Sequence, residues 1–215
     1  MNHRLRDAGS ALGIAFSPLQ TDRLIAYLAL LQRWNKVYNL TALRDPDAMF
    51  SHHLVDCLAA LPALRRHAAG QPLRVLDVGS GGGLPGVVLA VMQPDWEVVC
   101  VDAVGKKAGF IAQVAAELTL PNLRALHARI ESLPASAGWF ELIVSRAFAS
   151  LADFAALSQA ALADGGVWAA MKARPTAAEL AGLPPGIEVF HVEQLAVPGL
   201  DAQRCLVWMR RRAQA

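Results

Sequence analysis

Residues 74–86, Arg74-Val-Leu-Asp-Val-Gly-Ser-Gly-Gly-Gly-Leu-Pro-Gly86, constrain this chain more than any other stretch. Val75, Leu76 and Val78 form a short apolar run, as a buried parallel strand does, and Asp77 interrupts it. Gly79, Gly81, Gly82, Gly83 and Gly86 follow, with Pro85 where a helix can begin. Proline in a first helical turn forfeits no hydrogen bond, because that N–H is unpaired anyway. The stretch therefore reads strand, glycine turn, helix. Glycines let the backbone adopt positive φ and let a ligand lie directly on the main chain. This is a nucleotide-type binding turn, and its neighbours decide which nucleotide it suits.

Gly81-x-Gly83-x-x-Gly86 fits the dinucleotide fingerprint by letter, and Asp102 follows at about the right distance to hold a ribose. Asp77 speaks against that ligand, since a buried carboxylate at the strand end repels an anionic pyrophosphate. S-adenosylmethionine has no phosphate; it carries an ammonium and a sulfonium. An acidic strand end and a glycine turn make sense together for that ligand. The reading is a cofactor site at Asp77, Gly79, Gly81 and Asp102, with an N-cap of the next helix as the alternative for Asp102.

The length of 215 residues suits one domain with an extension. With 54% hydrophobic and 18% charged residues there is ample material for a core. A net charge of +2 names no partner, so any nucleic-acid contact rests on local patches: Arg4 and Arg6, Arg65-Arg66-His67, Lys106-Lys107, or Arg210-Arg211-Arg212. Cys57, Cys100 and Cys205 are odd in number and widely spaced, which fits neither a disulfide framework nor a zinc motif. No signal peptide is evident, and the run Leu24 to Leu31 is far too short to span a bilayer. A soluble cytoplasmic protein is expected.

Ser17-Pro-Leu-Gln20 carries the pattern of a capping box with proline in the first turn, so a helix is expected from there to about Asn35. Asn39-Leu-Thr41 reads as a loop. A second helix is expected from Asp45-Pro46, ending at or shortly after Pro62, with a basic connector over Arg65 to Pro72. From residue 74 strands and helices alternate, which implies βαβ units and a parallel sheet. The expected strands are 74–79, Glu97 to Asp102, Leu123 to Ala128, Phe140 to Ser145 and Val167 to Lys172 after a Gly165-Gly166 turn. Helices are expected over Pro85 to Met92, 105–118 and 150–162, and weakly over Glu179 to Leu183. Ile187 to Val197 and Cys205 to Arg210 are expected to close the sheet as an antiparallel hairpin around Pro198-Gly199. The organisation is an N-terminal helical extension over 1–72 and a doubly wound, Rossmann-like domain over 73–215, packed as one unit.

Ligands in such sheets lie beyond the carboxyl ends of the strands, where strand order reverses. That rule adds Arg129-Ile130-Glu131 after the third strand, Ser145-Arg146-Ala147-Phe148 after the fourth and Lys172 at the end of the fifth. Ile130 and Glu131 are candidates for the adenine, against a plain polar loop. An arginine at a strand end is costly to bury unpaired. Arg146 therefore meets substrate or cofactor, or forms an ion pair with Asp77 or Glu131. His52, His53, Asp56 and Cys57 offer i,i+4 pairs, but no third metal ligand stands out. His53 and Cys57 read as core, and His52 with Asp56 as a polar pair.

The string Val75 to Gly86 resembles that of the small-subunit ribosomal RNA methyltransferase G family, also called glucose-inhibited division protein B. The likeness continues at Trp34-Asn35, Asn39-Leu-Thr41, His52-His53-Leu54-Val-Asp56, Val101-Asp102-Ala-Val-Gly-Lys106-Lys107, His127-Ala-Arg129-Ile-Glu131, Ser145-Arg146-Ala147-Phe148-Ala149 and Met171-Lys172. It covers nearly the whole chain from about residue 20. Ala103 and Ala173 depart from it, where many members have serine and glycine. The resemblance implies a class I methyltransferase, with a mostly parallel seven-stranded sheet, that transfers a methyl group from S-adenosyl-L-methionine to N7 of one guanine in 16S ribosomal RNA. Carried over by position, it implies cofactor contact at Gly79, Leu84, Ile130, Glu131 and Arg146. Arg146 also positions cofactor or guanine in that reading, and Lys172, Arg65 and Arg66 are candidates to hold RNA, free or in the small ribosomal subunit. A monomer without metal is expected. The alternatives are a small-molecule methyltransferase, a dinucleotide-dependent oxidoreductase and a non-catalytic RNA-binding module.

Overall fold

A computed structural model describes residues 1–133, 138–146, 148 and 150–212. The Ala147 and Ala149 positions of the Ser-Arg-Ala-Phe-Ala string lie outside the described residues. Helix α1 (Asn2–Leu12) precedes α2 (Pro18–Tyr38), whose start is the expected capping box: Ser17 Oγ accepts from the Gln20 N–H, and Gln20 Oε1 accepts from the Ser17 N–H. Asp45 caps the short α3 (Pro46–Met49), and a π-helical turn (Phe50–Val55) leads directly into α4 (Asp56–Ala68).

The second helix thus runs past Pro62 instead of stopping near it. Proline inside a helix removes one hydrogen bond. Here Leu61, Ala63 and Leu64 are buried on either side of it, and that packing outweighs local propensity. Arg65, Arg66 and His67 belong to the last turn of α4, so the connector begins only at Ala69, which is left-handed at φ 50°.

The sheet follows as β1 (Arg74–Val78), α5 (Gly86–Met92), β2 (Glu97–Asp102), α6 (Gly105–Glu117), β3 (Leu123–His127), β4 (Phe140–Arg146), α7 (Leu151–Ser158), β5 (Leu162–Lys172), α8 (Ala177–Ala181), β6 (Ile187–Leu195) and β7 (Arg204–Arg211). Its order is β3-β2-β1-β4-β5-β7-β6, parallel except for β7, which runs antiparallel to both β5 and β6. Strand order reverses between β1 and β4. Gly165-Gly166 does not precede β5 as a turn but bulges within it: Phe140 pairs with Leu162 and Leu142 next with Val167. A short 3₁₀ turn (Gln159–Ala161) rather than a longer α7 leads into β5.

One face of the sheet buries Leu24, Tyr27, Leu31, Leu58 and Leu61 from the N-terminal helices together with Val75, Val98 and Leu142 in a single cluster. The other buries Leu76, Val99, Ile143, Phe154 and Trp168. The N-terminal helices therefore share one face of the sheet with α5 and α6. Among the described residues no helix is long and apolar enough to cross a membrane.

Candidate active site

The glycine turn divides its residues between two tasks. A methyl group added at Gly83 would meet Val87 Cγ2 at 2.5 Å, and at Gly86 it would meet Cys100 Sγ at 2.3 Å and Asp77 Oδ2 at 2.8 Å. Gly86 lets α5 sit against β1 and β2, and Gly83 lets the turn close onto Val87 of α5. Gly79 and Gly81 face open space instead: both have positive φ (65° and 57°), and nothing lies closer than 3.8 Å to a methyl group added there. Only these two can bring a ligand onto the main chain. Leu84 cannot offer its side chain, which is 4% exposed and packed in the core.

Side chains from three directions hold the turn. Tyr27 on α2, fully buried, donates its hydroxyl to the Gly82 carbonyl at 2.7 Å. Asp102 at the end of β2 accepts the Gly81 N–H at 2.9 Å through Oδ2 and the Val104 N–H at 2.8 Å through Oδ1. Asp102 is thus not the N-cap of α6, a position that Val104 occupies. Each carboxylate oxygen keeps a second lone pair for a ribose hydroxyl. Asp77, fully buried, accepts the Gly86 N–H at 2.8 Å through Oδ2, while Oδ1 has no hydrogen-bond partner. Burial pushes the Asp77 carboxyl up to about 7, opposed first by the Gly86 N–H.

Arg146, at the end of β4, points across to the π-helical turn. It donates through Nη1 to the His52 carbonyl at 2.7 Å and to Asp56 Oδ2 at 3.3 Å, and through Nη2 to His53 Nδ1 at 3.1 Å. Its ionic partner is Asp56, neither Asp77 nor Glu131. Asp56 also accepts from Arg204 Nε of β7 at 3.0 Å, so one buried carboxylate joins two arginines. His52 is not paired with Asp56; its Nδ1 faces the Ala48 carbonyl at 3.2 Å. A guanidinium only donates, so His53 Nδ1 is the acceptor and Nε2–H donates to Thr41 Oγ1 at 2.7 Å. Burial, with the Arg146 charge second, lowers His53 to about 4. Asn35 completes the chain of contacts, donating to the Leu43 carbonyl and accepting the Thr41 N–H, each at 2.8 Å.

A cleft of about 320 Å³ opens on this network, lined by His53, Arg146, Phe148, Met171, Lys172 and Arg204 among others. Lys172 is in it, paired with Glu179 of α8. Ile130 and Glu131 are not. They sit in a 3₁₀ turn after β3, bordering a separate hollow of about 280 Å³ with Leu157 and Ala161.

Arg65 and Arg66 are elsewhere too. Arg65 lies nine positions after Asp56, about 13 Å along α4. It donates to the Met92 carbonyl at 3.2 Å, at the end of α5, and Arg66 pairs with Glu193. Tyr27, Thr41, Asn35 and Arg204 are the site residues that pattern reading missed. For Tyr27 and Asn35 the signal was a polar side chain on an otherwise apolar face of α2, while Thr41 in a loop and Arg204 at the start of β7 carried none, and only the fold says what they meet. Among the described residues no group of three or more acidic, histidine or cysteine side chains could hold a metal.

The model of rRNA small subunit methyltransferase G matches residues 20–207, which include the glycine turn, the π-helical turn and the cleft. The chain belongs to the rRNA small subunit methyltransferase G family. A relative from Leptothrix cholodnii named ribosomal RNA small subunit methyltransferase G is 59% identical over 205 residues, covering 95% of this chain and 93% of its own. One from Paracidovorax citrulli is 57% identical and covers 98% and 90%. Among solved structures, TrmN from Thermus thermophilus aligns with a TM-score of 0.55 at 25% identity, over 75% of this chain and 53% of its own. A SAM-dependent methyltransferase from Aquifex aeolicus aligns with a TM-score of 0.56 at 18% identity, over 80% and 96%, and shares the fold. As a methyltransferase G the chain is an S-adenosylmethionine-dependent enzyme acting on small-subunit ribosomal RNA. The open glycines Gly79 and Gly81 and the spare lone pairs of Asp102 fit an adenosine, with Asp77 buried beneath the turn.

Proposed function

We infer that the chain methylates N7 of a guanine in 16S ribosomal RNA, using Gly79, Gly81, Asp77 and Asp102 for the cofactor and the cleft beside Arg146 for the guanine. The match to methyltransferase G over residues 20–207 carries this reading. When bound, S-adenosylmethionine supplies an electrophilic methyl: the N7 lone pair takes it, the carbon–sulfur bond breaks to leave a thioether, and the positive charge passes to the guanine ring without any proton transfer.

The chain's own residues suit that demand. His53 and Asp56, which could otherwise take protons, are both committed to arginines. Arg146 acts as a positioning residue: it fixes the π-helical turn against the end of β4 and so sets the cleft's shape. The remaining task is orientation, which alone is worth several kcal/mol in well-aligned reactions. Lys172 and Arg204 at the rim supply charge for phosphate. Arg65 and Arg66 do not line the cleft and are left out of this reading. Ile130 and Glu131 retain a role only toward the adenine, outside the cleft. We place the enzyme in the cytoplasm as a monomer, with residues 1–72 and 73–215 acting as one body.

The test supplies labelled S-adenosylmethionine with small subunits and with extracted RNA from cells lacking the protein, followed by nucleoside analysis. N7-methylguanosine at one site is expected. No transfer to either substrate, with donor binding intact, would discard the RNA acceptor in favour of a small molecule.

A further inference from the structure

We propose that Phe148 is the face on which the acceptor guanine stacks. Resting on the reading above, the proposal names how that site grips its base. Phe148 is half-buried, lines the cleft beside Arg146 and Lys172, and is the one benzenoid ring among the cleft's described lining residues, the imidazoles of His52 and His53 being tied to the Ala48 carbonyl and to Arg146 and Thr41. On its other side it borders the glycine turn: a methyl group added at Gly79 would stand 3.8 Å from the Phe148 ring. One ring therefore borders both the open backbone where the cofactor is placed and the cleft where the base is placed.

The ring is also held. Phe154 of α7, fully buried, lies 5.7 Å from it between centroids at 46°. That contact anchors one side of Phe148 to the core and leaves the rest toward the cleft. Arg146 is unsuited to the same task, since its guanidinium is already spent on His52, His53 and Asp56. The cleft's other apolar groups, Leu43, Met171 and Ala173, offer no flat surface.

A base has a π-face whatever its sequence, and an aromatic side chain is its natural platform. A guanine taken out of the RNA stack loses neighbours that such a ring replaces. The ring also has a reason to favour the reaction. Methylation leaves the guanine positively charged, and a cation over an aromatic face is attracted where a neutral base is merely stacked. Phe148 thus binds the methylated base, and the transition state approaching it, more tightly than the substrate, which is the condition for raising kcat.

The experiment compares the full chain with Phe148→Leu and Phe148→Trp, using small subunits as substrate and a titration of donor binding. Leucine keeps the bulk against Phe154 and removes the π-face; tryptophan keeps the face. Phe148→Leu is expected to lose about 5- to 100-fold in kcat/KM, with kcat itself reduced. Donor affinity stays within about twofold, and Phe148→Trp keeps most of the activity. Phe148→Leu also loses more affinity for N7-methylated RNA than for unmethylated RNA.

Unchanged kcat/KM in Phe148→Leu overturns the proposal. So does a loss of donor binding parallel to the loss of activity, which would make the ring part of the cofactor turn. Equal losses for methylated and unmethylated RNA, or a tryptophan variant as weak as leucine, also overturn it. If Phe148→Leu does not fold, Phe148→Met, likewise without a π-face, takes its place in every comparison. Failure of the wild-type protein to methylate guanine N7 is a separate result, and it strikes the proposed function.

Discussion

Replacing Asp77 by asparagine tests the electrostatics under the glycine turn. Asparagine keeps an acceptor for the Gly86 N–H, now 2.8 Å from Asp77 Oδ2, and keeps the volume, but it cannot ionise. The native Asp77 carboxyl titrates near 7 instead of 3.8 because burial disfavours its charge. Between those two values the folded protein holds a proton that the unfolded chain has released. Stability from this group is therefore complete below pH 3.8 and is lost as pH rises toward 7.

Three pH units at 1.36 kcal/mol each put the whole loss at about 4 kcal/mol, of which about 2 falls between pH 5 and 7. His53 works in the opposite sense. Its folded value of about 4 lies below the ordinary 6.5, so it adds stability as pH rises between them and masks the Asp77 slope in the wild type. The difference between variant and wild type removes that background. In urea unfolding without donor, at equal m-values, Asp77→Asn should gain on the wild type by about 2 kcal/mol from pH 5 to 7 and by no more than about 0.5 kcal/mol above it. A gap independent of pH over that range would refute the argument, because it would mean that Asp77 is ionised in the folded protein throughout.

Tyr27→Phe leaves the buried Gly82 carbonyl without its donor, and urea unfolding should show a loss of about 1–3 kcal/mol together with weaker donor binding by calorimetry. Gly81→Ala, facing open space at φ 57°, should cost only about 1–2 kcal/mol of backbone strain, whereas Gly86→Ala, with Cys100 Sγ at 2.3 Å, should abolish soluble folded protein; circular dichroism and thermal melts separate the two. Arg146→Lys should fall well short of wild-type methyl transfer while donor binding persists, since an ammonium cannot reach His52, His53 and Asp56 together.

Much of this fold is legible wherever local chemistry decides. The Ser17–Gln20 box and the Asp45-Pro46 start appear as helix starts, and β2 has the limits its sequence implies, because caps and apolar runs act over a few residues. Pro62 and Gly165-Gly166 mislead for one reason: each is a local breaker overruled by pairing or packing with distant segments. The cofactor turn is legible because glycine spacing encodes a backbone shape. The polar network is not. Asp56 meets Arg146 and Arg204, 90 and 148 positions away, and nothing in their spacing foretells it. Arg65 shows the converse, a basic residue in a basic run that the fold spends on the end of α5.

The π-helical turn at Phe50–Val55 carries a lesson about chain length. Such a turn amounts to one residue inserted into an α-helix. Removing a residue there would restore regular geometry and swing everything beyond it by about 100° relative to what precedes it. Asp56 and its neighbours could then face Arg146 only if the helices before them rolled on the sheet. Substitutions in this segment are negotiable one at a time, but its residue count is not. The loops at 69–73 and 196–203 carry no such phase, so a residue added or removed there leaves the facing of α4 on the sheet unchanged.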